Sequence, residues 1–310
     1  MQQLTNRVIM ISPDQFGFNP QTASSNDWQN VPENENEAQS KALKEFKTMV
    51  ATLQKEGIEV TVLPSRKDTV TPDAIFPNNW FSTHATEKGC KIIIYPMLTA
   101  NRRAERQVDN LLKTLTKQGL PTEIIDISAD ENENKILEGT GSLVLDRQNN
   151  IAYALESPRT VKEKFKKWCK LMNFSGVFFH GINNNTTNPV YHTNVAMSVG
   201  KGFAVICTEA IPTEQERKKI INKLQQNGEV IEISLAQMSK FAGNILHLKS
   251  ITGELKIVMS KQAFHAFTNT QKNQLKKYGK LVPVDITTIE KVGGGSARCM
   301  LAEIFPAKSS

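Results

Sequence analysis

Apolar and polar positions along this chain fall into a pattern that recurs about every 55 residues. Residues 142–146 (SLVLD) and 151–155 (IAYAL) read as two strands around the turn Gln148-Asn149-Asn150. A helical pattern covers 160–172 and a strand follows at 176–180. The order recurs at 195–199, 203–207, a helix over 213–227 and a strand at 229–233. That helix opens on Thr213-Glu214-Gln215-Glu216, the spacing of a capping box. The order returns at 244–248, 255–259, 260–277 and 281–284, and earlier at 80–83, 91–95, 101–118 and 123–127. A last strand at 300–304 has no helix after it, while the opening segment offers a strand at 6–12, a helix at 36–56 and a strand at 58–63. Joining the two ends completes a fifth strand–strand–helix–strand unit. The pattern therefore predicts a cyclic α/β array forming one domain over residues 1–310.

The unusual residues sit at the joints between units: PDAIFPNN (72–79), LEGTGS (137–142), VYHTN (190–194), AGN (242–244) and GGGSARC (293–299). Glu138, His192, Asn244 and Cys299 follow one another at intervals of 54, 52 and 55 residues. Equivalent joints of a cyclic array point toward one axis. Asp73, Glu138, His192 and Cys299 are thus expected to converge, although 226 residues separate the first from the last.

Composition narrows the class. Apolar residues make up 39% and charged residues 22% of 310, an ordinary soluble profile rather than a disordered or coiled-coil one. No run approaches the roughly 18 to 20 apolar residues of a membrane helix, and the N-terminus lacks the segments of a secretory signal. The net charge of +7 is dispersed, which argues against a nucleic-acid face. Four scattered cysteines suggest neither a disulfide framework nor a zinc site, so a reducing cytoplasm is the expected location.

Among those cysteines, Cys299 follows three glycines that let a ligand or another segment approach closely, and Arg298 beside it would favour a thiolate. Cys90, Cys169 and Cys207 occupy a hairpin, a helix and a strand end, where a structural thiol is expected. His192, presented at a strand lip, suits general acid–base work. His247 lies inside a strand and reads as structural; His84, His180 and His265 have no comparable context. Glu138 and Asp73 place carboxylates on two further joints, where they would meet N–H-rich or cationic ligand groups.

These segments resemble the guanidine-modifying superfamily, which includes arginine deiminases, dimethylarginine dimethylaminohydrolases and arginine:glycine amidinotransferases. PDAIFPNN resembles the PDxxFxED segment of the dimethylarginine hydrolases, LEGTGS the EGGD motif, YHTN the HxD motif and GGSARCM the GPRCM nucleophile segment. The resemblance implies a five-bladed α/β propeller, the pentein fold. It also implies Cys299 as nucleophile, His192 as catalytic histidine, Glu138 as substrate-contacting acid and Asp73 as guanidine-binding aspartate. ESPRT and NRRAE resemble the S-x-R-T and S-R-R-x-E segments, implying Arg159 and Arg102 as clamps for a substrate α-carboxylate. HLKS at 247 mimics a catalytic histidine segment one unit out of place.

Four acidic positions of those motifs are neutral here: Asn78, Asn79, Asn194 and Gly141. A neutral ureido group needs fewer anionic partners than a guanidinium and one donor for its carbonyl, which an asparagine amide supplies. The pattern most resembles the citrulline utilisation hydrolases, which implies hydrolysis of citrulline to ornithine, ammonia and carbon dioxide without metal or organic cofactor. The alternatives are arginine deiminase, dimethylarginine hydrolase or amidinotransferase activity, and, in another class, a catalytically silent pentein serving as a binding module. The expected partner is a small amino-acid substrate, with no nucleic acid and no membrane; an oligomer is compatible with the sequence. Residues 16–27 (FGFNPQTASSND) are long and polar enough for a lid over the site and equally so for a plain surface loop.

Overall fold

The computed structural model describes residues 2–120, 122–183 and 188–307. Its strands are β1 (Arg7–Ile11), β2 (Glu59–Leu63), β3 (Phe81–Ala85), β4 (Cys90–Ile94), β5 (Thr122–Asp126), β6 (Val144–Asp146), β7 (Ile151–Leu155) and β8 (Ser175–Phe179). They continue as β9 (Met197–Val199), β10 (Phe203–Ile206), β11 (Glu229–Glu232), β12 (Leu246–Lys249), β13 (Leu255–Ser260), β14 (Lys280–Val284) and β15 (Ala302–Glu303). These form five three-stranded sheets: β3-β4-β5, β6-β7-β8, β9-β10-β11, β12-β13-β14 and β15-β1-β2. In every sheet the middle strand runs antiparallel to the first and parallel to the third. The ring closes as expected: Val8 pairs with Glu303 and Ile9 with Ala302. The chain is a five-bladed α/β propeller.

Each middle strand reads as a continuous apolar run because both of its faces are covered; β7 (IAYAL) and β10 (FAVI) are buried throughout. The short first strands pack on their neighbours across units, β6 on β9, β9 on β12 and β15 on β3, and so surround the axis. Helices cover the outside. The helix Glu35–Lys55 buries Ala38, Ala42, Phe46, Met49 and Leu53, one stripe at 3.6-residue spacing. Full burial of Phe46, Met49 and Leu53 contributes about 1.5–3 kcal/mol each. Asn34 caps this helix by accepting from the Glu37 N–H, and Gly57, at φ +77°, follows its end.

The structure corrects the element boundaries where polar side chains intervene. The helix expected over 101–118 is two, Ala100–Arg103 and Val108–Lys117. Between them Arg106 pairs with Glu131 at 2.7 Å and Arg103 donates to the Met97 and Leu98 carbonyls, so the chain turns inward. The helix expected over 260–277 is also two, Lys261–Ala266 and Asn269–Lys276, because Thr268 and Gln271 form a capping box that restarts it. Thr213 does cap its helix through the Glu216 N–H, without the reciprocal side-chain bond. Strands expected from 142, 195 and 244 begin at 144, 197 and 246 instead. The residues before the first two form one-turn helices, Gly139–Ser142 and Thr193–Ala196. These joints are where the candidate site residues lie.

Candidate active site

Three of the five joints line one small cavity, and a fourth, 137–142, lies directly behind it. Asp73, Phe76, Asn79, Arg102, Arg159, Tyr191, His192, the Gly293-Gly294-Gly295 run and Cys299 line it, and Asn26 closes it from the N-terminal segment. Gly139, at φ +44°, lets the second joint lie against the first: a Cβ there would sit 2.3 Å from the Asn78 carbonyl oxygen. Gly141 does the same for side chains. A Cβ at 141 would meet Asn79 Nδ2 at 2.3 Å and the His192 ring at 2.8 Å, so the neutral residue at this motif position makes room for both. Gly293 and Gly295 pack on the Phe76 ring with no space for a side chain.

His192 is fixed from behind. Its Nε2 lies 2.8 Å from Glu138 Oε2, and Arg159 Nη1 lies 3.6 Å from the same oxygen. Burial opposes the charge on Glu138, but Arg159, the His192 hydrogen bond and Arg102 outweigh it and hold the carboxyl at about 2. Glu138 is therefore a carboxylate, an acceptor only, and His192 Nε2–H donates to it. Burial pulls the His192 imidazole down to about 4 against the opposing pull of Glu138, so at neutral pH the ring is neutral and Nδ1 is its free acceptor. Glu138 thus contacts His192 and is not itself a wall of the cavity.

Cys299 Sγ is buried between two amides. Asn244 Nδ2 lies at 3.3 Å, and Asn194 presents Nδ2 at 3.6 Å and Oδ1 at 3.9 Å. Burial pushes the Cys299 thiol up, while the Ser296 backbone, Asn244, Arg298 and Asn194 work against burial. At rest the Cys299 side chain is thus a thiol and the His192 ring a neutral imidazole. Arg298 turns its guanidinium away, to Glu303 at 2.9 Å and the Leu301 carbonyl. The other cysteines are buried too, and burial raises Cys90 to about 11, Cys169 to about 12 and Cys207 to about 11. They lie outside the cavity.

Arg102 and Arg159 divide their work differently from the expectation of two clamps. Arg102 holds Glu105 with Nε and Nη2 at 2.9 and 2.8 Å, Asn79 Oδ1 with Nη1 at 2.7 Å, and the Phe76 carbonyl at 3.2 Å. Its fork is occupied, and it orients the first joint. Arg159 donates to Ser25 Oγ at 2.9 Å, lies over the Tyr191 ring and leaves Nε without a partner. Asp73 Oδ2 accepts from Asn19 Nδ2 at 2.6 Å and from Thr22 Oγ1 at 3.3 Å; Oδ1 is buried and unpartnered. Burial pushes its carboxyl up, against Arg102, Asn19 and Arg159. Asn79 Nδ2 is a third unpartnered polar atom. Asn78 is fully buried with both amide atoms unpartnered, but it does not line the cavity.

The segment 16–27 roofs the site. Asn19 and Thr22 reach Asp73, Ser25 meets Arg159 and Asn26 Nδ2 donates to the Gly294 carbonyl. With the roof in place the cavity offers about 10 Å³, room for about one water. A larger cleft of about 700 Å³, beyond Trp28, carries Lys240, Lys261 and Glu290 and no cysteine. Asn19, Glu105 and Asn244 were missed as site residues. Each carried a signal that was not followed: Asn244 sits at a joint, Glu105 closes the NRRAE segment and Asn19 falls within 16–27.

Residues 12–306 match the profile of the family described as N,N dimethylarginine dimethylhydrolase, eukaryotic. The chain belongs to this dimethylarginine hydrolase family. Membership places it among the pentein C–N hydrolases that include enzymes of guanidino amino acids. Solved structures agree on the fold. The product-bound N-terminal domain of ArgZ, an arginine dihydrolase from the ornithine–ammonia cycle in cyanobacteria, is 18% identical, with 97% of each chain covered and a TM-score of 0.72. A cysteine-to-alanine variant of AgrE with L-arginine is 15% identical at a TM-score of 0.70, over 97% of this chain and 40% of that one. The dimethylarginine hydrolase of Pseudomonas aeruginosa, a cysteine-to-serine variant complexed with citrulline, is 15% identical, with 97% and 99% covered and a TM-score of 0.63. No curated protein sequence matches the chain.

Proposed function

We propose that this family member hydrolyses the ureido group of citrulline, giving ornithine, ammonia and carbon dioxide. One observation carries the reading. The buried polar atoms left without partners around the cavity are an acceptor, Asp73 Oδ1, an amide donor, Asn79 Nδ2, and a guanidinium donor, Arg159 Nε. A ureido amino acid supplies what each lacks: an N–H for Asp73, a carbonyl oxygen for Asn79 and a carboxylate for Arg159. A guanidinium has no carbonyl and would leave the Asn79 N–H facing a cation, an unmet donor that costs about 1–3 kcal/mol.

The chemistry starts from the neutral pair. Cys299 Sγ attacks the ureido carbon and its proton passes to His192, which delivers it to the leaving nitrogen as ammonia departs. This forms an S–C bond and breaks one C–N bond, leaving an S-carbamoyl intermediate. His192 then takes a proton from water, whose oxygen displaces sulfur. The carbamate released loses carbon dioxide to give ornithine. An amide donor at the carbonyl oxygen strengthens as charge collects there. The roof over residues 16–27 must open to admit an amino acid and close to exclude water.

A second reading, arginine carried through the same ureido stage, is favoured by Asp73 Oδ1, an open buried carboxylate oxygen that suits a guanidinium N–H. Ornithine and ammonia release from citrulline, arginine, dimethylarginine and agmatine decides between the readings. Citrulline is expected to have the highest kcat/KM; faster turnover of arginine by the wild type would overturn the ureido preference.

A further inference from the structure

We infer that Asn244 is a catalytic residue that holds the Cys299 sulfur and favours its thiolate. The inference rests on the reading of Cys299 as nucleophile and adds a fifth joint to a site that otherwise uses four. The Asn244 amide has a defined orientation. Its Oδ1 accepts from the Arg298 backbone N–H at 3.0 Å, which requires oxygen at that position. Nδ2 donates to the Asn194 carbonyl at 2.8 Å and to Cys299 Sγ at 3.3 Å, and Oδ1 lies 3.7 Å from the same sulfur, where it can accept from the thiol. One amide thus locks the residue before the nucleophile, the nucleophile itself and the joint after His192.

The backbone that delivers Asn244 is built for close approach. Phe241, buried, adopts φ +60°, a conformation that bulky side chains rarely take. Its carbonyl accepts the Asn244 N–H at 2.9 Å, and its ring packs on Trp28 with centroids 6.2 Å apart. Gly243 follows; a Cβ there would lie 2.3 Å from the Val195 carbonyl oxygen, so only glycine lets this joint press against the Thr193–Ala196 turn. Strain and close packing together bring an amide donor to the Cys299 sulfur, whose hydrogen-bond contacts among the described residues are amides.

Asn194 differs. Its side-chain amide meets Sγ at longer range, and it does not line the cavity. The two asparagines should separate in experiment. Full-length wild type, Asn244→Asp and Asn194→Asp are alkylated with iodoacetamide across pH, with labelling at Cys299 read by peptide mass spectrometry and folding checked by thermal melts. In Asn244→Asp an acceptor replaces the donor at sulfur. The pH midpoint of Cys299 alkylation is expected to rise by about one unit and labelling at pH 7.5 to slow about tenfold. The variant's kcat should fall about 10- to 100-fold with KM within about threefold. Asn194→Asp, whose carboxylate would lie farther from the sulfur, should raise the midpoint by less than Asn244→Asp; an equal or larger rise would overturn the assignment of the donor role to Asn244. Should Asn244→Asp fail to fold, Asn244→Ser carries the same measurement; if neither folds, Asn244 is structural and the proposal falls. An unmoved midpoint in a folded Asn244 variant also overturns it. Alkylation needs no turnover, so the underlying reading fails separately, through a Cys299→Ala protein that still releases ammonia.

Discussion

His192 and His247 are equally buried, and burial holds both imidazoles near 4, yet their surroundings differ in kind. His192 stands at a joint, its Nε2 tied to a carboxylate, its ring against Tyr191 and its side chain on the cavity wall. His247 lies within β12, accepts the Lys201 backbone N–H at Nδ1 and packs on Phe203. The contrast teaches that burial and a displaced pKa do not mark a functional histidine. What sets His192 apart is its carboxylate partner and its place on the cavity wall.

The largest effect that could break this contrast is at the nucleophile. Cys299→Ser should lower kcat by at least about 1,000-fold, while Cys207→Ala, in an equally buried place, should leave steady-state ammonia release within about threefold. Next, His192→Asn should cost about 100- to 10,000-fold in kcat, the usual contribution of a positioned acid–base, whereas His247→Asn should retain most turnover. A dead but folded His247→Asn beside an active His192→Asn would reverse the two roles. Smaller again is the α-carboxylate contact: Arg159→Met should lower kcat/KM for an amino-acid substrate by about ten- to a hundredfold, the loss of one charge-assisted contact. Equal turnover of the decarboxylated analogue would remove Arg159 from the site.

The smallest effect joins the two histidines. In the unfolded chain each takes up a proton near pH 6.5; in the native protein neither does so until about 4. Between these values the unfolded state binds more protons at the two histidines, so their contribution to stability is full above about pH 6.5 and falls as pH drops toward 4, by about 1.4 kcal/mol per pH unit for each. His84, held well below its usual value by burial and Arg147, adds to the same slope. Glu105 and Glu290, each raised to about 7 by burial, pull the other way over the same range, so the histidine share is read by difference, from urea melts of wild type and His247→Leu at pH 7, 6 and 5. His247→Leu should lose less stability than wild type between pH 7 and 5 by one histidine's share; an unchanged pH dependence would mean His247 is protonated in the native state.

Among the sequence elements, the five units and their closure were legible because both signals are local. Middle strands such as IAYAL and FAVI are buried on both faces and therefore uniformly apolar, and each outer helix carries its own stripe. The helix breaks at 104–107 and 267–268 were less so, since a distant glutamate and a single capping threonine decide them. The candidate site divides the same way. Equal spacing of the joints brought Asp73, Glu138, His192 and Cys299 into view, and the cavity gathers three of them with Glu138 directly behind.

What the sequence determined by itself was the repeat, the joints and the residue types they carry. Which arginine is occupied, which way an amide faces and whether a loop covers the site belong to the tertiary structure. Arg102 and Arg159 sit in equally suggestive motifs, but Glu105 takes the fork of Arg102, while Arg159 keeps its Nε–H open. Asn244 resembles any loop amide until Arg298 N–H fixes its oxygen and turns its nitrogen toward sulfur. Hydrogen-bond partners are assigned by contacts between segments tens to hundreds of residues apart, and no local periodicity encodes them. Spacing chose the candidates; packing across the axis gave each one its role.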